Sequence, residues 1–195
     1  ALEGSTFRTL DGIERSLTSE NLLIRDSERP VAIAGVMGGL ETEVSGTTSN
    51  IFLESAWFEP SSIRRTSKFF GLSTEASYRF ERGVDIVMVE TALDRASYLM
   101  QELAGGRVHK KIDNYPVPFT EMEISVRPDK IRKLIGADIP QAEMVDISKR
   151  LGFKVEESGD SFTVTPPSYR QDIQKDFDVI EEIARIYGYD RIPSS

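Results

Sequence analysis

Cysteine is absent from the 195-residue sequence, and histidine and tryptophan occur once each. Without cysteine, disulfides and thiolate metal sites are excluded. The single histidine, His109, would have to serve any Ser-His-Asp arrangement, yet it sits beside Lys110 and Lys111 in a linker-like segment. Nucleophilic catalysis by a side chain is therefore not expected. No run approaches the roughly 18 apolar residues that span a membrane, and no signal-peptide pattern opens the sequence. The expectation is a cytoplasmic protein with no membrane partner. Basic charge is also scarce, with 24 Lys and Arg against 32 Asp and Glu, a net −8. The deficit is even: residues 1–120 hold 13 cations and 17 anions, and residues 121–195 hold 11 and 15, so each part is −4. Neither part has the bulk charge of a non-specific nucleic-acid binder. Any contact with RNA must be local, and the strongest local cluster is Arg64, Arg65 and Lys68, followed by Arg79 and Arg82. The plain alternative for that cluster is a solvated helix face.

What is present is globular: 39% hydrophobic and 29% charged residues, in a chain long enough for one large or two small domains. Residues 7–17 read as a hairpin turning at Asp11-Gly12. Residues 22–25 and 31–33 read as strands, followed by a glycine-rich turn at 35–39 and a further, mostly buried strand at 51–58. Pro60 suits the first turn of a helix that Gly71 can end. Residues 74–84 read as an irregular polar stretch. Asp85 can cap the next helix, with Val89, Leu93, Ala96, Met100 and Leu103 on one face. A linker is placed at 118–120, dividing a domain at 1–117 from one at 121–195. The second domain reads strand, helix, helix, two strands, helix. Its last helix carries a stripe of Phe177, Ile180, Ala184 and Tyr187. Two adjacent short helices followed by a hairpin suggest a winged-helix-like arrangement. The expected class is α+β.

Three constellations could carry chemistry. The turn Gly35-Val36-Met37-Gly38-Gly39 is neither a phosphate loop nor a dinucleotide fingerprint. It is either a tight turn or a wall where backbone N–H groups approach a ligand. Glu54 stands alone in the apolar run Ile51-Phe52-Leu53-Glu54-Ser55-Ala56-Trp57-Phe58. It is either an outward strand residue or an acceptor in a pocket, since a buried carboxylate must be paired or hydrogen-bonded. Asp178, Glu181 and Glu182 fall at i, i+3 and i+4 on one helical face, with Asp172 close enough to fold back. They form either a solvated acidic face or an oxygen-only site for a hard cation such as magnesium.

These pieces, taken together, resemble the β chain of bacterial phenylalanyl-tRNA synthetases. The resemblance is carried by Ala34-Gly35-Val36-Met37-Gly38-Gly39 and Leu53-Glu54-Ser55-Ala56-Trp57-Phe58. It continues in Thr74-Glu75-Ala76-Ser77-Tyr78-Arg79-Phe80-Glu81-Arg82-Gly83-Val84-Asp85 and Pro167-Ser168-Tyr169-Arg170-Gln171-Asp172-Ile173. It ends in Glu181-Glu182-Ile183-Ala184-Arg185-Ile186-Tyr187-Gly188-Tyr189-Asp190. The motifs come in family order and cover nearly the whole sequence, which is a minority of a full-length β chain.

The resemblance implies part of a B3/B4 editing domain, a mixed α/β unit, followed by a small winged-helix-like B5 domain. The family enzyme joins phenylalanine to tRNA(Phe) using ATP and magnesium, with the aminoacylation site on the α subunit. The stretch in hand would therefore not aminoacylate alone. The B3/B4 module hydrolyses mischarged tyrosyl-tRNA, because a phenylalanine pocket cannot fully reject an added hydroxyl. The editing positions carry over as Gly38, Glu54, Thr74 and Ala76. Glu54 would accept a hydrogen bond from the tyrosine phenol, Gly38 would bring backbone close, and Ala76 would leave room for the ring. Thr74 would help position the ester or the attacking water. The family pocket also uses a His from a segment preceding the start of this sequence; His109 is not its counterpart, so the pocket is expected to be incomplete. The B5 carry-over is Asp172, Asp178, Glu181 and Glu182, assigned in the family to magnesium bound in association with the α subunit. Two other readings compete: a stand-alone nucleic-acid-binding winged helix and a structural interface module. The first predicts a basic recognition helix, but residues 141–151 hold Glu143 and Asp146 beside Lys149 and Arg150.

Overall fold

In the computed structural model, which describes residues 3–193, the chain divides into two compact units, Ala1–Ile112 and Asp113–Ser195. The division falls a few residues before the linker expected at 118–120. Both units mix helices with antiparallel strands, as the α+β expectation requires.

The first unit opens with the expected hairpin, β1 (Thr6–Arg8) and β2 (Glu14–Ser16), with Phe7 opposite Arg15. Gly12 supplies the positive φ of its turn at +79°. The turn is braced from within. Arg15 holds both oxygens of Asp11, and Thr9 donates to Asp11 at 2.6 Å. A second sheet follows in the order β3 (Leu23–Arg25), β4 (Pro30–Ile33), β5 (Met37–Gly38), all antiparallel. The Leu10 N–H donates to the Gly38 carbonyl at 3.0 Å, and Thr9 bridges Gly39, so the hairpin is stitched to this sheet.

Helix α1 (Pro60–Phe70) starts at a proline and stops at Gly71, whose φ of +63° ends it. It buries Ile63, Thr66 and Ser67. Phe7, Leu17, Ile33, Ala34, Val36, Phe58 and Ile63 form the core of this unit.

Four expectations fail here. Residues 51–58 form no strand, and only Phe58 among them is buried; Ile51 is 56% and Phe52 87% exposed. An apolar run signals a strand only where a sheet edge is free to pair with it, and no described strand pairs here. Residues 74–84 are not wholly irregular either, since Glu75–Phe80 is a short helix, α2. Helix α3 (Met88–Ala104) begins after Asp85 rather than at it; Asp85 accepts from the Val87 N–H at 3.1 Å. Its expected apolar face buries no residue, and Leu103 is 82% exposed.

The second unit matches its expected order. Strand β6 (Ile124–Val126) is followed by α4 (Pro128–Ile135) and α5 (Gln141–Arg150). The hairpin β7 (Lys154–Ser158) and β8 (Ser161–Thr165) precedes α6 (Asp176–Tyr187). The sheet order is β6-β8-β7, so β8 lies centrally. Its Phe162 and Val164 are fully buried among Val126, Ile131, Met144, Val179 and Ile183. On α6 the buried face is Val179, Ile180, Ile183 and Ala184. Phe177, expected in the stripe, is 56% exposed and lies under the Lys130 ammonium at 4.2 Å.

Candidate functional site

The glycine turn of the first unit is shaped by what surrounds it. Gly35 has φ +65°, and a Cβ there would lie 2.8 Å from Ile63 and 2.9 Å from Phe58. Only glycine allows the turn to approach α1 this closely. Gly39 is equally confined, since a Cβ would meet Phe7 at 2.7 Å and the Val31 carbonyl oxygen at 3.0 Å. At Gly38 a Cβ would come within 3.2 Å of the Leu10 side chain.

Thr74 joins this turn to α2. Its hydroxyl donates to the Val36 carbonyl at 2.7 Å and accepts from the Ser77 N–H at 3.0 Å. The Ser77 hydroxyl accepts from the Thr74 N–H in return, closing a capping box. Phe80, on the same helix, packs edge-on against Phe58 with ring centroids 4.9 Å apart. The segment that carries Glu54 is held at its neighbour, where Ser55 donates to the Val89 carbonyl at 2.8 Å.

The outcome is an open cleft of about 430 Å³ lined by both the turn and α2. Gly38, Glu54, Thr74 and Ala76 all line it, so the four expected pocket residues meet at one place. Leu10, Met37, Glu75 and Phe80 also line the cleft and were not expected. Leu10 is reached only through the hairpin-to-sheet stitch, and Phe80 through a helix too short to show periodicity.

Glu54 has no hydrogen bond or ion pair among the described residues. As a residue it is exposed where it lines the cleft, and partial loss of water around its carboxyl pushes the pKa up. It is thus an acceptor with no partner of its own. Thr74 is different, because its one O–H is already given to Val36. Its hydroxyl builds the cleft wall rather than standing free for an ester or a water. His109 lies in an exposed segment and does not line the cleft. The lining residues hold no nucleophile–base pair.

The second expected site does not assemble. Among the described residues no group of three or more His, Cys, Asp or Glu is placed to hold a metal ion. Asp172 is gripped by Arg170 at 2.6 Å, which holds its carboxyl below the usual range. Glu182 is 14% exposed and is shared by Arg170 at 3.2 Å and by Arg185. Loss of hydration pushes its pKa up, but Arg185 and Arg170 outweigh that and hold it low. The Asp178 carboxylate turns back to accept the N–H groups of Gln174 and Lys175 at 2.8 and 2.7 Å. Glu181 is exposed. Spacing along a helix places three carboxylates on one face, but helix-end N–H groups engage Asp178 and arginines engage Glu182, which leaves Glu181 alone without such a partner among the described residues.

Comparison with known proteins gives a domain family for each part of the chain. Residues 1–105 match the B3/4 domain family and residues 124–189 the tRNA synthetase B5 domain. The phenylalanine–tRNA ligase β subunit of Syntrophus aciditrophicus is 49% identical over 99% of this chain and 25% of its own length. That of Geobacter metallireducens is 50% identical over 99% of this chain and 24% of its own. An N-terminal fragment of the phenylalanyl-tRNA synthetase β subunit from Pyrococcus horikoshii has a solved structure that covers 97% of this chain and 55% of its own. It aligns at 18% identity with a TM-score of 0.46. The chain spans about a quarter of the length of the curated relatives it matches. It belongs to the phenylalanine–tRNA ligase β-subunit family, as a stretch carrying a B3/4 domain followed by a B5 domain.

Proposed function

We propose that the cleft is the editing pocket of a phenylalanine–tRNA ligase, where tyrosine wrongly joined to tRNA(Phe) is recognised and its ester hydrolysed. The observation that carries this reading is Glu54, an unpartnered carboxylate facing an otherwise largely apolar cleft beside Gly38 and Ala76. A tyrosine ring fits against Leu10, Met37 and Phe80, with its phenol donating to Glu54. Phenylalanine offers no donor, and its ring would strip water from the carboxylate without replacing the lost hydrogen bond. That penalty makes the pocket selective for the wrong amino acid. Ala76 and Gly38 leave the space a ring needs. The reaction is attack of a water on the ester carbonyl, with the water oriented by the bound substrate and the cleft backbone, since the lining side chains hold no nucleophile–base pair.

The wider assignment follows the family. The ligase uses ATP to join phenylalanine to its tRNA, its aminoacylation site belongs to the α subunit, and this stretch works in the cytoplasm as part of that assembly. Magnesium is given no step here, because Asp172, Asp178 and Glu182 are engaged within the chain.

The test is made in the complete ligase carrying Glu54→Ala. Removing an acceptor for the phenol weakens tyrosine recognition by about 1–3 kcal/mol, the range for a hydrogen bond to a charged group. Tyrosyl-tRNA(Phe) then accumulates while phenylalanine charging is unchanged. Deacylation of tyrosyl-tRNA at the parent rate would refute the role given to Glu54.

A further inference from the structure

Helix α1 carries Arg64, Arg65 and Lys68 and no carboxylate. All three cations are exposed, and among the described residues none forms an ion pair. Arg65 reaches only the Ser61 hydroxyl, at 3.4 Å. This is unusual in a chain of net charge −8 whose cations are mostly paired with acids. Nowhere else among the described residues do three unpaired cations fall within five positions.

Their direction is fixed by the helix. With about 100° of turn per residue, Arg64, Lys68 and Arg65 occupy an arc of about 100°. That arc faces away from Ile63, Thr66 and Ser67, which are buried. The buried side packs against the glycine turn that lines the cleft, since a Cβ at Gly35 would meet Ile63 at 2.8 Å. One helix therefore supports the glycine turn with one face and offers three free cations with the other. Aromatic surface accompanies them. Phe69 on α1 is 59% exposed, and Tyr78 on α2, which packs against α1, is 54% exposed with the Arg82 guanidinium 3.6 Å above its ring.

We propose that the outer face of α1 binds the phosphate backbone of single-stranded RNA, so that the strand bearing the amino-acid ester is held while its end lies in the cleft. This rests on the reading of the cleft as an editing pocket. Arg64, Arg65 and Lys68 neutralise phosphates, a local attraction that overcomes the acidic total because charges are screened beyond roughly 8–10 Å. Phe69, and the face of Tyr78 that Arg82 leaves uncovered, give unpaired bases a surface for stacking, which single strands offer and a duplex does not. An acidic protein segment would use the cations but gain little from two exposed rings.

The experiment measures fluorescence anisotropy of a labelled single-stranded RNA oligonucleotide, without amino acid, titrated with the full 195-residue chain. Arg64→Glu/Lys68→Glu is compared with Arg107→Glu/Lys110→Glu, which makes the same change in net charge at exposed positions outside α1. The α1 variant is expected to lose about tenfold or more in affinity and the control little. The salt slope should fall by about 1.4, from roughly 0.7 for each of two single-strand phosphate contacts. Phe69→Ala should weaken binding severalfold without changing the slope. Equal losses in both charge variants, or none in either, overturn the proposal. Competition by polyglutamate as strong as by unlabelled RNA overturns it in favour of an acidic protein partner. Because the RNA carries no amino acid, its anisotropy reports on α1, whereas hydrolysis of tyrosyl-tRNA(Phe) by the complete ligase reports on the cleft. Failure on α1 and failure of the cleft reading are then separately visible.

Discussion

Thr74→Val tests whether the threonine hydroxyl builds the cleft or serves the chemistry. The substitution keeps the β-branched shape and removes the hydroxyl that ties the start of α2 to the glycine turn. Two interactions are lost together: the bond to the Val36 carbonyl at 2.7 Å, across 38 positions of sequence, and the cap on the Ser77 N–H at 3.0 Å. Loss of a helix cap costs about 0.5–2 kcal/mol. Leaving a buried carbonyl unpaired costs about 1–3 kcal/mol more, and Val36 is only 2% exposed. The sum, about 1.5–5 kcal/mol, is a large part of the roughly 5–15 kcal/mol that keeps a domain folded. Urea unfolding of the chain followed by circular dichroism should show it as a lower midpoint with an unchanged slope. Thr74→Ser retains the hydroxyl and should recover most of the stability. Ser77→Ala removes the reciprocal half of the capping box, so the double variant should lose less than the two single losses added. Parent-like stability in Thr74→Val, with tyrosyl-tRNA hydrolysis lost in the complete ligase, would refute the reasoning and place the hydroxyl on the substrate.

Three further outcomes follow from the geometry. Gly35→Ala should destabilise the first unit by about 2–4 kcal/mol, combining a left-handed backbone penalty with overpacking against Ile63 and Phe58; a parent-like thermal midpoint would contradict it. Asp11 is held well below the usual carboxylate range, first by its hydrogen bonds from Arg15 and then by that from Thr9. A depressed folded pKa stabilises the fold above the unfolded value near 3.8 and loses that contribution as pH falls toward the folded one. Asp11→Asn should therefore be less stable than the parent near neutrality and lose less on acidification, and parallel stability–pH curves would exclude the pairing as a contributor. Magnesium titrated calorimetrically into this chain should give no saturable heat, because Arg170, Arg185 and the Gln174 and Lys175 N–H groups occupy Asp172, Glu182 and Asp178; a saturable signal abolished by Asp178→Asn would reverse that assignment.

The second unit was legible because its signals are local. Gly136, Gly152 and Gly159 stop elements where their φ values of +76°, +83° and +58° require glycine, and each helix carries its own apolar period. The departures are in detail: the stripe of Phe177, Ile180, Ala184 and Tyr187 runs along the edge of a buried face that Val179 and Ile183 centre. The first unit was less legible because its contacts are not local. Thr74-Glu75-Ala76-Ser77 begins a helix with serine in the position where Glu or Gln gives the usual signature, and six residues are too few for a period. The run at 51–58 is apolar without being a paired strand, so composition misplaced its backbone while still marking Glu54 as anomalous.

That difference bears on why the cleft residues could be named when the structure around them could not. A residue that breaks its local pattern is visible in sequence whatever backbone carries it, and Glu54 in an apolar run is such a break. The glycines at 35, 38 and 39 are visible for a similar reason, and two of them prove to be places where a side chain would collide with Ile63, Phe58 or Phe7. The carboxylates of the second unit break no pattern. Acids near the start of a helix are what its dipole favours, and Asp178 spends its charge on those N–H groups. Arg170 lies two residues before Asp172 and twelve before Glu182, too far for any helical spacing rule to pair it with both, yet it binds both. A shared helical face therefore sets which side chains can meet, while the nearest opposite charge decides which of them remain free to bind anything else.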